Sequence, residues 1–149
     1  MPRLLRLAAA THWLWGRFAG EVNARNPRSI HDPIEREKNL AYGAVTGREL
    51  YELLTVVRRA RKSLTDVRAP ALIIQSKQDP RCSPATAEFT LEMLGSEEKK
   101  LIWTEGAGHI ITVDYGREKV FAEVEHWLSA HRGSGAAAAT KVRAAAERP

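Results

Sequence analysis

The sequence predicts an α/β fold built on a parallel sheet, and three features of its second half carry that prediction. Ala71-Leu72-Ile73-Ile74-Gln75 and Lys100-Leu101-Ile102-Trp103 are short apolar runs bounded by turn residues, the pattern of strands buried on both faces. Between them Ser83-Pro84 sets a hydroxyl at an N-cap and proline at the first helical position. The helix these residues open is expected to run to Leu94, with Gly95 closing it. A further helix follows, from about Gly116 to Ala130, with Val120, Phe121, Val124, Trp127 and Leu128 on its expected buried face and Arg117, Glu118, Glu123 and Glu125 outside. Strand, helix, strand and helix in that order make a βαβα unit.

The first half is less regular. Leu4, Leu7, Thr11, Leu14 and Phe18 follow a helical spacing, with Arg3, Arg6 and Arg17 off the stripe, and predict an amphipathic helix. A secretory leader is the rival reading of that segment, but His12 and Arg17 interrupt its apolar run and no small-residue cleavage site follows. Residues 20–47 are polar and broken by Asn26-Pro27, Asp32-Pro33, Gly43 and Gly47, so they read as loops and short turns. Leu50, Leu53, Leu54 and Val57 then mark a second helix that ends near Lys62. Beyond Gly133 the chain is rich in Gly, Ser and Ala, then basic. It lacks the apolar surface needed to offset ordering, so 133–149 is expected to be a disordered tail.

With 149 residues the chain has room for one domain and one core. Two strands cannot complete a parallel sheet, whose edges need covering by further strands or chains. The sequence is therefore expected to belong to a larger domain, or to self-associate through an open sheet edge. The formal charge of +5 resides at the termini. Arg3, Arg6 and Arg17 stand without an acid in the first twenty residues, and Lys141, Arg143 and Arg148 face only Glu147 in the tail. The one dense internal cluster, Arg58, Arg59, Arg61 and Lys62, closes a helix, where cations favour the negative end of the dipole. This distribution argues against a nucleic-acid partner. Three arginines on the N-terminal helix are too few to imply stable membrane insertion or a surface anchor. Cys82 is the single cysteine, which rules out an internal disulfide and fits a reducing, cytoplasmic setting more easily than secretion. The five histidines show neither HExxH nor Cys/His pairing, so no metal site is readable.

Functional groups of open α/β sheets gather beyond the C-terminal ends of the strands. Asp79 follows the first strand, in Gln75-Ser76-Lys77-Gln78-Asp79-Pro80, and His109 follows the second, in Thr104-Glu105-Gly106-Ala107-Gly108-His109. Asp before Pro is ordinary turn chemistry, and a histidine after glycine is ordinarily a loop residue. In this order, each at a strand end with one helix between, the two are expected side by side, where a carboxylate can orient an imidazole and stabilise its protonated form.

The stretch from Arg68 to Leu128 resembles the C-terminal half of the bacterial carboxylesterase and monoacylglycerol lipase type of α/β-hydrolase. The resemblance rests on Pro70 to Ser76, Asp79, Ser83-Pro84, Leu94-Gly95-Ser96, Lys100 to Trp103, Gly108-His109-Ile110-Ile111-Thr112 and Asp114. More loosely it reaches back through Asp32-Pro33, Tyr42-Gly43 and the Leu50–Val57 helix, which resemble that family's cap. The resemblance implies a partial α/β-hydrolase fold, with a cap-like segment over 1–67 and the last βαβα of the core over 68–132. It also implies Asp79 as triad acid and His109 as base, an ester or monoacylglycerol as substrate, and no cofactor. The family's nucleophile is the serine of a Gly-x-Ser-x-Gly elbow on an earlier strand. None of the seven serines here sits in that motif, and Ala107 stands where the family usually has serine before the Gly-His pair. The chain is thus expected to be the C-terminal part of a serine hydrolase, inactive alone, or else a truncated, non-catalytic interaction module.

Overall fold

A computed structural model describes residues 11, 13, 19–21, 28–39 and 44–132 of the chain. The expected N-terminal helix, apart from Thr11 and Trp13, and the tail lie outside the described residues.

Strand β1 (Ala19–Glu21) pairs antiparallel with β2 (Ala44–Thr46), with Gly20 opposite Val45. Between them lies the one-turn helix α1 (Pro33–Glu37). The Asp32 carboxylate caps it by accepting the backbone N–H groups of Ile34 at 2.9 Å and Glu35 at 3.4 Å. The stretch read as loops and turns therefore contains a small sheet. Strands of three residues are too short to show an alternating pattern.

Helix α2 (Gly47–Ser63) begins three residues before the first leucine of its stripe. Its start is set by a reciprocal capping box: Glu49 N–H donates to the Thr46 hydroxyl at 3.2 Å, and Thr46 N–H donates to the Glu49 carboxylate at 2.6 Å. Arg61 and Lys62 fall in its last turn, exposed as expected, and the Arg61 guanidinium lies 4.5 Å from the Phe89 ring centre.

After a 3₁₀ turn (Leu64–Asp66) the chain enters β3 (Ala71–Ser76), crosses through α3 (Pro84–Met93) and returns in β4 (Lys99–Thr104). The two strands are parallel, with Ile73 opposite Leu101 and Gln75 opposite Trp103. Helix α4 (Arg117–Ala130) completes the βαβα unit. Elements, order and strand direction agree with the sequence reading to within one or two residues at each boundary.

Three details differ. Ser83 occupies the N-cap of α3, but its hydroxyl makes no capping bond and instead meets the Thr86 hydroxyl at 3.2 Å. Gly95 is not a left-handed helix terminator, because Gly106 and Gly116 are the described glycines with positive φ. It is required for close approach: a Cβ there would stand 2.2 Å from the Thr65 carbonyl oxygen. Its N–H donates to Leu64 O at 3.1 Å and its carbonyl accepts Arg68 Nη1 at 2.9 Å, which ties the end of α3 to the 3₁₀ turn. Gly95→Ala must push backbone from backbone and is expected to lower stability by about 2 kcal/mol, read from urea unfolding followed by tryptophan fluorescence.

The third difference is burial. The strand side chains are half-buried rather than buried, save buried Ser76 at the end of β3 and exposed Lys100 on β4. On α4 only Val120 is buried, whereas Phe121 and Leu128 are 52% and 61% exposed. The reason is geometric: among the described residues β3 and β4 pair only with each other, so nothing lies across their outer edges.

Candidate active site

Parallel pairing brings the loops that follow β3 and β4 to one edge of the sheet. Asp79 lies in the first. Its Oδ1 accepts the backbone N–H groups of Arg81 at 2.7 Å and Cys82 at 3.0 Å, the local turn that Asp favours. That fixes the carboxylate plane and directs Oδ2 at His109, whose Nδ1 lies 2.9 Å away. Burial would raise the Asp79 carboxyl, but the His109 hydrogen bond and the two backbone donors outweigh it and hold the group below the usual carboxylate range. An ionised Asp79 makes Nδ1 the donor and leaves the lone pair of a neutral imidazole on Nε2. The Asp79 side chain is 6% exposed and that of His109 41%, so the acid is sheltered and the ring is reachable.

The second loop is held against the first by hydrogen bonds and an ion pair. The Ser76 hydroxyl donates to Ala107 O at 2.5 Å and accepts Gln78 N–H at 3.1 Å. Gln78 Oε1 accepts Gly106 N–H at 3.2 Å, and Lys77 pairs with Glu105 at 2.8 Å. Gly106 turns the chain with a φ of +84°.

A third wall comes from residues 28–32, which the sequence analysis left among loops. Gly108 packs directly against it, since a Cβ at this position would stand 2.5 Å from Arg28 O and 2.6 Å from Ser29 O. Ile110 N–H donates to Ser29 O at 3.1 Å, and His31 Nδ1 donates to Gly106 O at 2.8 Å. Asp114 joins the pieces. Its carboxylate is 1% exposed and accepts four backbone N–H groups: Gly108 at 2.7 Å, His31 and Asp32 at 2.8 Å, and Tyr115 at 2.9 Å. Burial pushes its pKa up, yet those four donors together hold it below the ordinary value. Asp114 was one of the residues carrying the family resemblance, but its structural task is invisible in a sequence. Its partners on the third wall lie more than eighty positions away.

The Asp79–His109 pair faces an open groove of about 440 Å³ whose wall includes Ile74, Cys82, Ile110 and Thr112. Cys82 has no close histidine in the sequence, so its place beside His109 is invisible until the chain folds. Burial first, and then the Asp79 charge, push its thiol pKa up. One donor atom each from Asp79, Cys82 and His109 lie within 4.8 Å of one another. Of the serines flanking the Asp79 loop, Ser76 is buried and bonded to Ala107 O, and the exposed Ser83 meets the Thr86 hydroxyl.

A parallel strand pair with helices, and an Asp and a His at its C-terminal edge, is the arrangement of an α/β-hydrolase core. Residues 3–115 match the family model described as serine aminopeptidase, S33, and the chain belongs to that α/β-hydrolase family. It is 25% identical over 79 residues to a carboxylesterase of Bacillus subtilis (strain 168), covering 53% of this chain and 32% of that one. It is 30% identical over 80 residues to the Homo sapiens monoglyceride lipase, covering 52% and 26%. Among solved structures, the monoacylglycerol lipase of Paleococcus ferrophilus superposes with a TM-score of 0.74 at 19% identity, over 88% of this chain and 53% of that one. One from a study of the metagenome-derived lipolytic enzymes LipS and LipT gives a TM-score of 0.60 at 32% identity, over 62% and 38%. The chain thus matches a third or less of the length of these curated relatives. No helix among the described residues is long and apolar enough to cross a membrane.

Proposed function

We propose that this chain supplies the acid and the base of a serine-type carboxylic ester hydrolase, a carboxylesterase or monoacylglycerol lipase. The observation that carries the reading is the 2.9 Å contact between Asp79 Oδ2 and His109 Nδ1 at the C-terminal edge of the parallel strands. In the reaction, His109 Nε2 takes the proton of a serine hydroxyl as that oxygen attacks the ester carbonyl. His109 then returns the proton to the departing alcohol, and the same ring activates the water that releases the acid. Asp79 holds the tautomer that leaves Nε2 basic and stabilises the imidazolium. The serine and the oxyanion hole come, in this reading, from sequence outside these 149 residues, and residues 1–67 act as a cap over the acyl site. The apolar groove wall at Ile74 and Ile110 suits an acyl chain.

Esters are preferred over peptides because the carboxylesterase and the monoglyceride lipase are the relatives it resembles in sequence. A chimera tests this: the part of the Bacillus carboxylesterase that precedes its matched segment, joined to residues 28–132 of this chain. It should hydrolyse p-nitrophenyl butyrate at least a hundredfold faster than an aminoacyl p-nitroanilide. A folded chimera that cleaves only the anilide, or neither compound, would sink the reading.

A second reading follows from the open sheet, whose strands have no further partner among the described residues. In it the chain associates with a second copy through that edge. Sedimentation of the purified chain should then show a concentration-dependent dimer. A monomer at every concentration rejects the second reading and leaves the first standing.

A further inference from the structure

We propose that Asp79, Cys82 and His109 form a capture site for a thiophilic divalent cation, Zn²⁺ being the natural occupant. The donor set is the first argument. A carboxylate oxygen, an imidazole nitrogen and a thiolate sulfur are the three ligand types zinc takes, whereas calcium and magnesium avoid both nitrogen and sulfur. The geometry is the second. The three donor atoms all lie within 4.8 Å of one another, and Nδ1 and Oδ2 are already 2.9 Å apart. A tetrahedral site with bonds of about 2.0 to 2.3 Å places its donors roughly 3.3 to 3.6 Å apart. The imidazole–carboxylate contact must therefore open by about half an ångström and the widest gap close by about one. Side-chain rotation can supply both movements, since the His109 side chain is 41% exposed and Cys82 lies on the loop between β3 and α3.

Support around the ligands is the third argument. Asp79 Oδ1 is held by Arg81 N–H at 2.7 Å and Cys82 N–H at 3.0 Å, so Oδ2 is aimed without further ordering. The Cys82 backbone thus braces the very carboxylate beside which its thiol lies. The charges also balance: an Asp carboxylate, a Cys thiolate and a neutral His around a dication sum to zero, which suits a half-buried cluster. Binding moves the Nδ1 proton to Nε2, releases the thiol proton to solvent and forms bonds from Oδ2, Sγ and Nδ1 to the metal. The open groove leaves the fourth position to water.

A metal on Nδ1 puts a hydrogen on Nε2, the atom that the proposed hydrolase needs unprotonated. On the functional reading above, zinc is then a reversible inhibitor competing with base chemistry at one ring. Metal binding itself does not depend on that reading, and the experiment keeps the two apart.

The purified 149-residue chain is titrated with Co²⁺, whose bonds to thiolate sulfur give an intense near-ultraviolet charge-transfer band. We expect a saturable band at one Co²⁺ per chain, displaced by Zn²⁺. In Cys82→Ser the band should vanish, and zinc affinity measured against a chromophoric chelator should fall at least tenfold. Asp79→Asn and His109→Ala should each weaken zinc at least tenfold, with circular dichroism spectra like that of the parent. Absence of the band, its survival in His109→Ala, or equal zinc affinity in the parent and Cys82→Ser would overturn the proposal. In the chimera, inhibition by zinc that a chelator reverses adds the functional consequence. An inactive chimera that still shows the cobalt band defeats the hydrolase reading and leaves the metal site intact.

Discussion

Asp114→Ala is expected to lower stability by about 4 kcal/mol, the largest loss of any single substitution among the described residues. Four backbone N–H groups converge on this carboxylate, and each bond to an ionised acceptor contributes roughly 1.5 to 3 kcal/mol before mutual overlap is discounted. Alanine would leave those donors, the Gly108 N–H among them, facing an apolar void, because the side chain they surround is 1% exposed. Asp114→Asn keeps one acceptor oxygen but turns an amide donor toward backbone donors, so about 2 to 3 kcal/mol should go. The pH dependence separates a charge effect from a packing effect. The folded-state pKa of Asp114 is depressed, so its contribution is full above the unfolded carboxyl value of about 4 and is lost as pH falls through the folded value. The stability gap between parent and Asp114→Asn should accordingly be constant from pH 8 to about 5 and shrink below about 4. Urea unfolding across that range measures it. A gap independent of pH would show that the carboxylate's charge contributes nothing.

The same residue shows where sequence reasoning stops. Strands β3 and β4 were legible because continuous apolar runs between turn residues are a local signal, and so were the α3 start at Pro84 and the order of the βαβα unit. The proximity of Asp79 to His109 followed from that order alone, since parallel strands must end on one edge. Other features depend on partners far along the chain. Gly108 stands just before His109, and its lack of a side chain lets Arg28 and Ser29 approach from far along the chain. Gly95 reads as a helix stop and is a contact with Thr65. Cys82 has no chemical meaning until the Asp79 turn folds its loop beneath His109. The stripe on α4 predicts a buried face of which only Val120 is buried, because a pattern states which face is apolar and not what covers it. Whether anything lies opposite Phe121 and Leu128 is a property of the assembled sheet. The capping box at Thr46 and Glu49 is different, because it was present as a four-residue signature and sets the start of α2 three residues before the leucine stripe.

Activity should depend on His109 and Asp79 far more than on any other described side chain, but only where a nucleophile is supplied. The 149-residue chain holds no Gly-x-Ser-x-Gly motif, and both serines beside the Asp79 loop are engaged in hydrogen bonds. Acid and base without an attacking oxygen or an oxyanion hole have no transition state to stabilise. Purified alone, the chain should therefore hydrolyse p-nitrophenyl butyrate at the buffer rate. In the chimera with the Bacillus carboxylesterase segment, His109→Ala should lower kcat by about 10⁴-fold or more, because the serine then has no proton acceptor. Asp79→Asn should cost nearly as much, on the order of 10⁴-fold, by releasing Nδ1 from its carboxylate and letting the ring take the wrong tautomer. The double variant should be little worse than His109→Ala, since the two residues act as one unit and their effects do not add. KM should change by less than the rates in all three, as neither side chain is proposed to bind the acyl group. Turnover by the isolated chain that His109→Ala abolishes would instead require a serine within it. Ser76→Ala and Ser83→Ala would then be the first variants to make, although Ser76 would have to leave its bond to Ala107 before it could attack anything.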